Sequence, residues 1–235
     1  MKIKKSNYQD LLKLIALIVM VIDHLGLYIF PEILLMRGIG RFAMPIFCFF
    51  AGYNFDGRPR LRVLMYGVLL YAFSSYFIFQ GFVVTNILIS IFFGQVYLWL
   101  FNRTMRSFES TYVHLVILGV LWTVTRELID YGTLAAAIMV AGYMARTRLI
   151  AINVAAAIIA YLSILHSFVN FWSFLDVSFI VGAGFSAILV YVVLSIRDFK
   201  KVINYNLAII TRHSAIIYCL QFMLIETYWR YIILQ

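Results

Sequence analysis

The feature that most constrains this chain is a run of twenty predominantly apolar residues, 11–30, followed by further runs of similar length. An α-helix rises about 1.5 Å per residue, so about twenty residues cross the roughly 30 Å of hydrocarbon in a bilayer. Of the 235 residues, 64% are hydrophobic and only 12% are charged, too few to cover a water-soluble core. Because the apolar runs are continuous rather than alternating, they predict spanning helices and not barrel strands.

These runs predict an all-α polytopic integral membrane protein, with residues 1–235 forming a single transmembrane domain of about nine helices in one bundle. We expect the first run to be an uncleaved span, because it is long and no small-residue cleavage site follows it. Ser6, with Gln9 three residues later, resembles a capping box that would begin this helix. The predicted spans are residues 11–30, 33–55, 61–80, 82–101, 111–129, 132–145, 149–168, 171–196 and 206–232.

The basic residues fall in alternate loops, and this pattern predicts the orientation of the protein. Cytoplasmic loops carry an excess of lysine and arginine, so the N-terminus is expected in the cytoplasm and the C-terminus in the periplasm. The net charge of +9 is therefore mostly a topological signal, and we expect no nucleic acid partner. The basic loop residues are Lys2, Lys4, Lys5, Arg58, Arg60, Arg62, Arg103, Arg106, Arg146, Arg148, Arg197, Lys200 and Lys201.

An acid and an imidazole, Asp23 and His24, interrupt the first apolar run near its far end. An ionisable side chain inside a spanning helix costs about 2.5 to 3.5 kcal/mol, so such residues usually face a bundle interior or a wet cavity. Histidine suits general base catalysis because its pKa lies near physiological pH. Adjacent helix positions point about 100° apart, so Asp23 is expected to pair with Arg41 or another helix rather than with His24. A structural polar cluster joining two helices is the alternative interpretation.

Arginines supply the counter-charges and the candidate phosphate ligands. Arg37 and Arg41 have the i, i+4 spacing that places two side chains on one helical face. Arg58 and Arg62 could pair with phosphate oxygens, although orienting the protein would by itself explain their positions. The sequence has no Cys/His spacing typical of a metal site, so no metal is expected. It also has no phosphate-binding glycine loop.

Several segments, in order along nearly the whole chain, resemble the TraX family of conjugative pilin acetyltransferases. The opening match is LIALIVMVIDHLG over residues 14–26, followed by RGIGRFAMPIF over residues 37–47. Three later matches are the segments that contain Asn86, then Asp130-Tyr131-Gly132, and finally Arg212-His213-Ser214 with Tyr218. The chain has Gln221 where related acyltransferases often place a histidine after the tyrosine.

This resemblance implies a multi-pass enzyme of the bacterial inner membrane that transfers acetyl groups from cytoplasmic acetyl-CoA. The implied acceptor is the N-terminal amine of a membrane-inserted pilin subunit, and the lipid bilayer is the other partner. Acetyl-CoA is the implied co-substrate, and no metal is implied. The expected catalytic residues are His24, Asp23, Arg41, Asp130 and Tyr131, and the expected substrate-binding residues are Arg37, Asn86, Arg58, Arg62, Arg212 and Tyr218.

Other functions remain open at this point. A non-catalytic pilin chaperone would need the same membrane fold without turnover of acetyl-CoA. An acyltransferase acting on a sugar or another envelope molecule would share the donor and differ in the acceptor. A solute transporter has less support, because the two halves of the sequence show no inverted repeat. For the enzyme, direct transfer and an acetyl-His24 intermediate are both compatible with the residues.

Overall fold

A computed structural model describes residues 6–40, 42–80, 85–104, 113–114, 116–118, 120–121, 125, 132–147, 149–150 and 207–233. The elements in these ranges are helical, which confirms the predicted fold class. They are α1 (Tyr8–Tyr28), α2 (Leu34–Gly40), α3 (Ala43–Tyr53), α4 (Leu61–Phe73), α5 (Ile87–Thr104), α6 (Leu134–Arg146), α7 (Leu207–Arg212) and α8 (Ser214–Tyr228), and π-helical turns over Ser74–Ile78 and Trp229–Ile233 extend α4 and α8.

Four helical segments of the described ranges are long and apolar enough to cross a membrane. They are Tyr8–Tyr28, Leu35–Tyr53, Leu61–Ile78 and Ile87–Thr104, and Leu134–Arg146 is a shorter apolar helix. The chain is thus a helical membrane protein, and its first four predicted spans coincide with these segments to within a few residues. The count of nine spans and their orientation stay predictions, because residues 151–206 and most of the predicted span 111–129 lie outside the described residues.

The N-terminus of α1 is capped one residue later than predicted. Asn7 is the N-cap: its Oδ1 accepts from the backbone N–H of Asp10 at 3.2 Å, and Asp10 Oδ2 accepts from the N–H of Asn7 at 3.1 Å. This reciprocal pair is a capping box, in which side chains satisfy two otherwise unpaired N–H groups. The prediction that Ser6 and Gln9 form the box was wrong, since Ser6 Oγ instead accepts from the N–H of Ala208 at 3.0 Å.

Two described helices, α2 and α3, lie within the second predicted span, and Pro45 lies in the first turn of α3. Proline lacks the N–H that would bond to the carbonyl four residues earlier, and its ring clashes with that carbonyl. Pro45 is tolerated because it lies in the first turn of α3, where N–H groups have no partner within the helix.

The chain divides into two compact units, residues 1–47 with 151–235 and residues 48–150. In the first unit, α1 packs against α2, α7 and α8. Gly40 permits the close approach of α2, because a Cβ at this position would overlap the side chain of Asp23. Thr211 Oγ1 on α7 donates to Asp10 Oδ1 at 2.9 Å, which ties the start of α1 to the C-terminal part of the chain.

In the second unit, α5 packs between α4 and α6. Its buried core contains Leu98, Phe101, Ile138 and Met139. Gly52 allows the end of α3 to approach α6, because a Cβ there would overlap the backbone carbonyl of Met139. The single domain over residues 1–235 stays a prediction.

Candidate functional site

Asp23 and His24 are both buried on α1, and they face different neighbouring helices of the same unit. Asp23 contacts α2, whereas His24 contacts α8. This divergence follows from helix geometry, since consecutive side chains leave the axis about 100° apart. One helix therefore presents a carboxylate to one side and an imidazole to the other.

The partner of Asp23 is Arg37. Arg37 Nη1 lies 2.8 Å from Asp23 Oδ1, and the two side chains are only 18% and 12% exposed. The same nitrogen donates to the backbone carbonyl of Asp23 at 3.3 Å. Arg41, which the sequence favoured as the partner, lies outside the described residues, so its place on the face of Arg37 stays a prediction. The Arg37 contact joins α1 to α2 and neutralises a carboxylate that the bilayer would otherwise disfavour.

The partner of His24 is Gln221 on α8. Gln221 Nε2 lies 2.7 Å from His24 Nδ1, a hydrogen-bonding distance. The ring of Phe222 meets the imidazole edge-on with centroids 4.5 Å apart, and the ring of Tyr218 is tilted against it at 5.7 Å. Three side chains of one helix thus hold the imidazole in a fixed orientation. Tyr218, a predicted binding residue, is buried beside the predicted base.

A second polar contact lies one turn further along the same interface. Tyr28 is four residues after His24 and therefore lies on the same face of α1. Its hydroxyl donates to Glu226 Oε1 at 3.1 Å, and Glu226 is only 1% exposed. The Trp229 ring packs against Tyr28 with centroids 5.6 Å apart. The interface between α1 and α8 thus combines an imidazole, an amide, a phenol and a carboxylate with aromatic packing.

The contacts of His24 determine which chemistry its imidazole can perform. An imidazole whose Nδ1 is engaged reacts through Nε2, as a base, an acid or a nucleophile. Within the described ranges, no group of three or more His, Cys, Asp or Glu side chains could hold a metal ion. The geometry around His24 favours proton transfer or covalent chemistry at its ring.

The predicted phosphate ligands belong to the other unit, where Arg58 lies in the segment between α3 and α4 and Arg62 lies in the first turn of α4. Arg58 and Arg62 are exposed there, and neither makes an ion pair within the part of the chain that the structure describes. Two neighbouring arginines have structural contacts instead: Arg60 Nη2 lies 3.3 Å from Asp56 Oδ2, and Arg146 Nη1 donates to the carbonyl of Phe55 at 2.6 Å. The structure thus separates arginines with a local contact from arginines that are available to a ligand.

Asp56 titrates below its ordinary range. Burial acts to raise its pKa, but the Arg60 guanidinium and the backbone N–H groups of Arg58 and Asp56 outweigh this effect and lower the pKa. The backbone N–H of Arg60 also donates to Oε1 of the buried Gln95 at 2.8 Å, which fixes the end of this segment on α5.

Asn86, also a predicted binding residue, caps α5 in the second unit. Its Oδ1 accepts from the N–H of Leu88 at 3.2 Å, and its Nδ2 donates to the carbonyl of Gly67 at 2.8 Å. Both ends of this amide are thus engaged locally. A further role toward a substrate stays a prediction.

The remaining predicted residues are not brought into the α1 site by the described contacts. Arg212 is exposed in the last turn of α7. Asp130 and Tyr131 lie outside the described residues, as Arg41 does. Conversely, the contacts of Gln221, Glu226 and Tyr28 were not predicted from the sequence. The available signal was the spacing of three and four residues that relates Tyr218, Gln221, Phe222, Ile225 and Trp229 along α8.

Comparison with known proteins gives two matches that cover most of the chain. The family model described as TraX protein matches residues 8–228. The chain is also similar to an uncharacterized protein of Rickettsia prowazekii (strain Madrid E), at 40% identity over 230 residues in an alignment that covers 94% of this chain and 92% of the relative. No solved structure matches. The family match confirms the resemblance found in the sequence.

Proposed function

Since the chain belongs to the TraX protein family, we propose that it is a membrane-embedded acetyltransferase that moves an acetyl group from cytoplasmic acetyl-CoA to the N-terminal amine of membrane-inserted conjugative pilin. The observation that carries this proposal is the buried imidazole of His24, which Gln221, Tyr218 and Phe222 orient within an apolar helix. A histidine so costly to bury is typical of a functional site.

In the direct mechanism, His24 acts as general base. The amine nitrogen attacks the thioester carbonyl carbon and loses its proton to His24, so that a C–N bond forms. The tetrahedral intermediate then breaks its C–S bond, and the departing thiolate of CoA takes the proton back from His24. An N-terminal amine has a pKa of about 7.7 to 8.0, so part of it is already neutral and a modest base suffices. In the two-step alternative, His24 Nε2 attacks the thioester carbonyl carbon and the C–S bond breaks, which releases the thiolate of CoA. The amine then attacks the acetyl-imidazole, the C–N bond to the amine replaces the bond to His24, and the proton of the amine passes to the CoA thiolate.

The other predicted residues complete this mechanism. Arg41, Asn86 or Tyr131 would stabilise the oxyanion, and one such donor is worth about 3 to 4 kcal/mol. Asp130 would orient the acceptor amine. Asp23 and Arg37 would help to position His24, because their 2.8 Å contact fixes α1 against α2. Tyr218 would line the substrate path, because its ring lies beside the imidazole.

We place donor entry on the cytoplasmic side of a nine-span bundle in the bacterial inner membrane. Arg58 and Arg62 are the favoured phosphate ligands, because they are exposed and make no ion pair in the described ranges. Guanidinium groups bind phosphate oxygens in pairs of hydrogen bonds, which suits the phosphates of CoA. Arg212 is a further candidate, since it is exposed at the end of α7.

The test of this proposal is H24A, measured by the intact mass of pilin and by transfer of label from acetyl-CoA. Positioned general acid–base groups contribute about 10² to 10⁴-fold, so we expect a loss of acetylation of at least about 100-fold. The matched control is H114A, which removes an imidazole held 2.9 Å from Tyr97 and 2.8 Å from Thr104 and placed in no catalytic role. H114A should retain acetylation.

Three results would contradict the proposal. Unchanged acetylation in an H24A protein that inserts normally would remove His24 as the catalytic residue. A wild-type protein that binds pilin but leaves its mass unchanged would favour the chaperone. Transfer of label to a sugar or another envelope molecule, with pilin unmodified, would keep the acyl transfer and replace the acceptor.

A further inference from the structure

The contact between Gln221 and His24 engages one nitrogen of the imidazole, Nδ1. His24 and Gln221 are 197 residues apart in the sequence, yet the amide of Gln221 lies 2.7 Å from Nδ1. Phe222 and Tyr218 restrain the same ring from neighbouring positions of α8. Because Nδ1 is occupied by this contact, any proton transfer by His24 proceeds at Nε2.

The state of Nε2 depends on which end of the amide faces Nδ1. If Gln221 donates an N–H to Nδ1, the neutral ring carries its proton on Nε2 and cannot accept another there. If Gln221 accepts through Oε1, the proton stays on Nδ1 and Nε2 keeps its lone pair. The oxygen and nitrogen of an amide occupy interchangeable positions, so the hydrogen-bonding chemistry must decide between them.

We infer that Gln221 is the positioning residue of His24, with Oε1 accepting from Nδ1–H so that Nε2 is the base. This inference rests on the proposed acyl transfer, because only this orientation leaves His24 able to take a proton at Nε2. With the amide nitrogen toward Nδ1, the buried Oε1 has no hydrogen-bond partner among the described residues. Turning the amide over gives Oε1 the Nδ1–H donor and moves the N–H groups of Nε2 to the buried side, so the reaction at His24, which needs a lone pair on its Nε2, selects the orientation.

A neutral partner suits this location and this reaction. Asp23, Arg37 and Glu226 already bring three ionisable groups into the same unit, and a carboxylate at position 221 would add another buried charge. An amide fixes the tautomer without strongly raising the basicity of the ring, and an amine acceptor needs only a modest base. Asparagine orients the catalytic histidine of papain-like proteases in a similar way.

The tautomer can be measured without any substrate. We would record ¹⁵N spectra of the histidine rings in the full-length protein in lipid nanodiscs, with H24A identifying the His24 signals. The expected result is a protonated Nδ1 and an unprotonated Nε2 in the neutral ring. In Q221E the carboxylate can only accept, so the same nitrogen should stay protonated. Protonation of Nε2 in the wild type, or a change of the protonated nitrogen in Q221E, would overturn the inference.

Activity provides the second measurement, with acetyl-CoA and pilin as probes. Q221M removes both polar atoms at similar length. We expect kcat to fall about 10- to 100-fold with little change in the KM for acetyl-CoA, the size of effect seen when a metal-ligating histidine loses its orienting partner. Q221E should recover much of that loss because it restores the acceptor. L220M, on the adjacent exposed position of α8, is the control and should match the wild type.

The two measurements separate this inference from the proposed function. If the wild type acetylates nothing while Nδ1 carries the proton, the proposed function is wrong and the Gln221 contact stands as inferred. If H24A abolishes acetylation while Q221M leaves kcat unchanged, the proposed function stands and the positioning role of Gln221 is wrong.

Discussion

Two arginine–aspartate pairs in this protein have the same chemistry and opposite surroundings. Arg37 and Asp23 are 2.8 Å apart, and their side chains are 18% and 12% exposed. Arg60 and Asp56 are 3.3 Å apart, and their side chains are 55% and 61% exposed. The first pair joins two helices, whereas the second spans four residues of one segment. The difference teaches that the exposure of an ion pair, rather than its presence, determines how much the pair contributes to the free energy of unfolding.

The largest effect is expected when the buried pair is broken from one side. R37M leaves Asp23 buried without this guanidinium, and removing one partner of a buried pair costs about 3 to 5 kcal/mol. Equilibrium unfolding in mixed micelles with SDS would measure the change. In the second unit, R60M should change the free energy of unfolding far less, because water already solvates Asp56.

A double variant sharpens this prediction. D23L/R37M removes both charges, and apolar replacement of a buried pair is often close to neutral. The double variant should therefore be more stable than R37M alone. If R37M cost no more than R60M, the buried pair would be energetically equivalent to the exposed one, and the comparison would fail.

Each pair also has a nearby glycine. Alanine at one of these positions would cause a steric overlap, and at the other it would cause backbone strain. At Gly40 a Cβ would overlap the side chain of Asp23, so G40A should cost about 1 to 3 kcal/mol and weaken the Asp23 contact with Arg37. At Gly57 there is open space, but φ is +89°, so G57A should cost only about 1 kcal/mol through backbone strain. Unfolding measurements on both variants would rank them, and equal costs would show that α2 moves away from α1 without penalty.

The fold was largely predictable because hydrophobic length is a property of composition along the chain. The first predicted span, residues 11–30, corresponds to Tyr8–Tyr28, and the third, residues 61–80, corresponds to Leu61–Ile78. The beginning of α3 at Ala43, inside the second span, was not predicted, although Pro45 is typical of the first turn of a helix. Hydropathy averages over a window and cannot register the loss of one hydrogen bond.

The candidate site was predictable in its residue types and not in its contacts. Asp23 and His24 were identified as site residues because burying an ionisable side chain in a membrane is costly. Helix geometry indicated that they would have different partners. The identity of those partners depends on which helices pack together. Sequence periodicity marks a face of α8 but does not say that α1 covers it. Gln221 was visible only as a departure from related acyltransferases, and its contact with His24 crosses 197 residues.

The smallest expected effect belongs to the exposed pair, and it depends on pH. Because the pKa of Asp56 in the folded state is below its ordinary value, the ionised form stabilises the fold above the unfolded pKa, and this contribution is lost as the pH falls through the folded pKa. D56N should therefore cost less than about 1 kcal/mol at neutral pH, and its difference from the wild type should shrink as the pH falls below 3.8, the ordinary pKa of an aspartate. Salt should also reduce the difference, because exposed charges are screened, whereas the cost of R37M should persist at high salt. A D56N cost that survived both acid and salt would show that Asp56 acts through its shape rather than its charge.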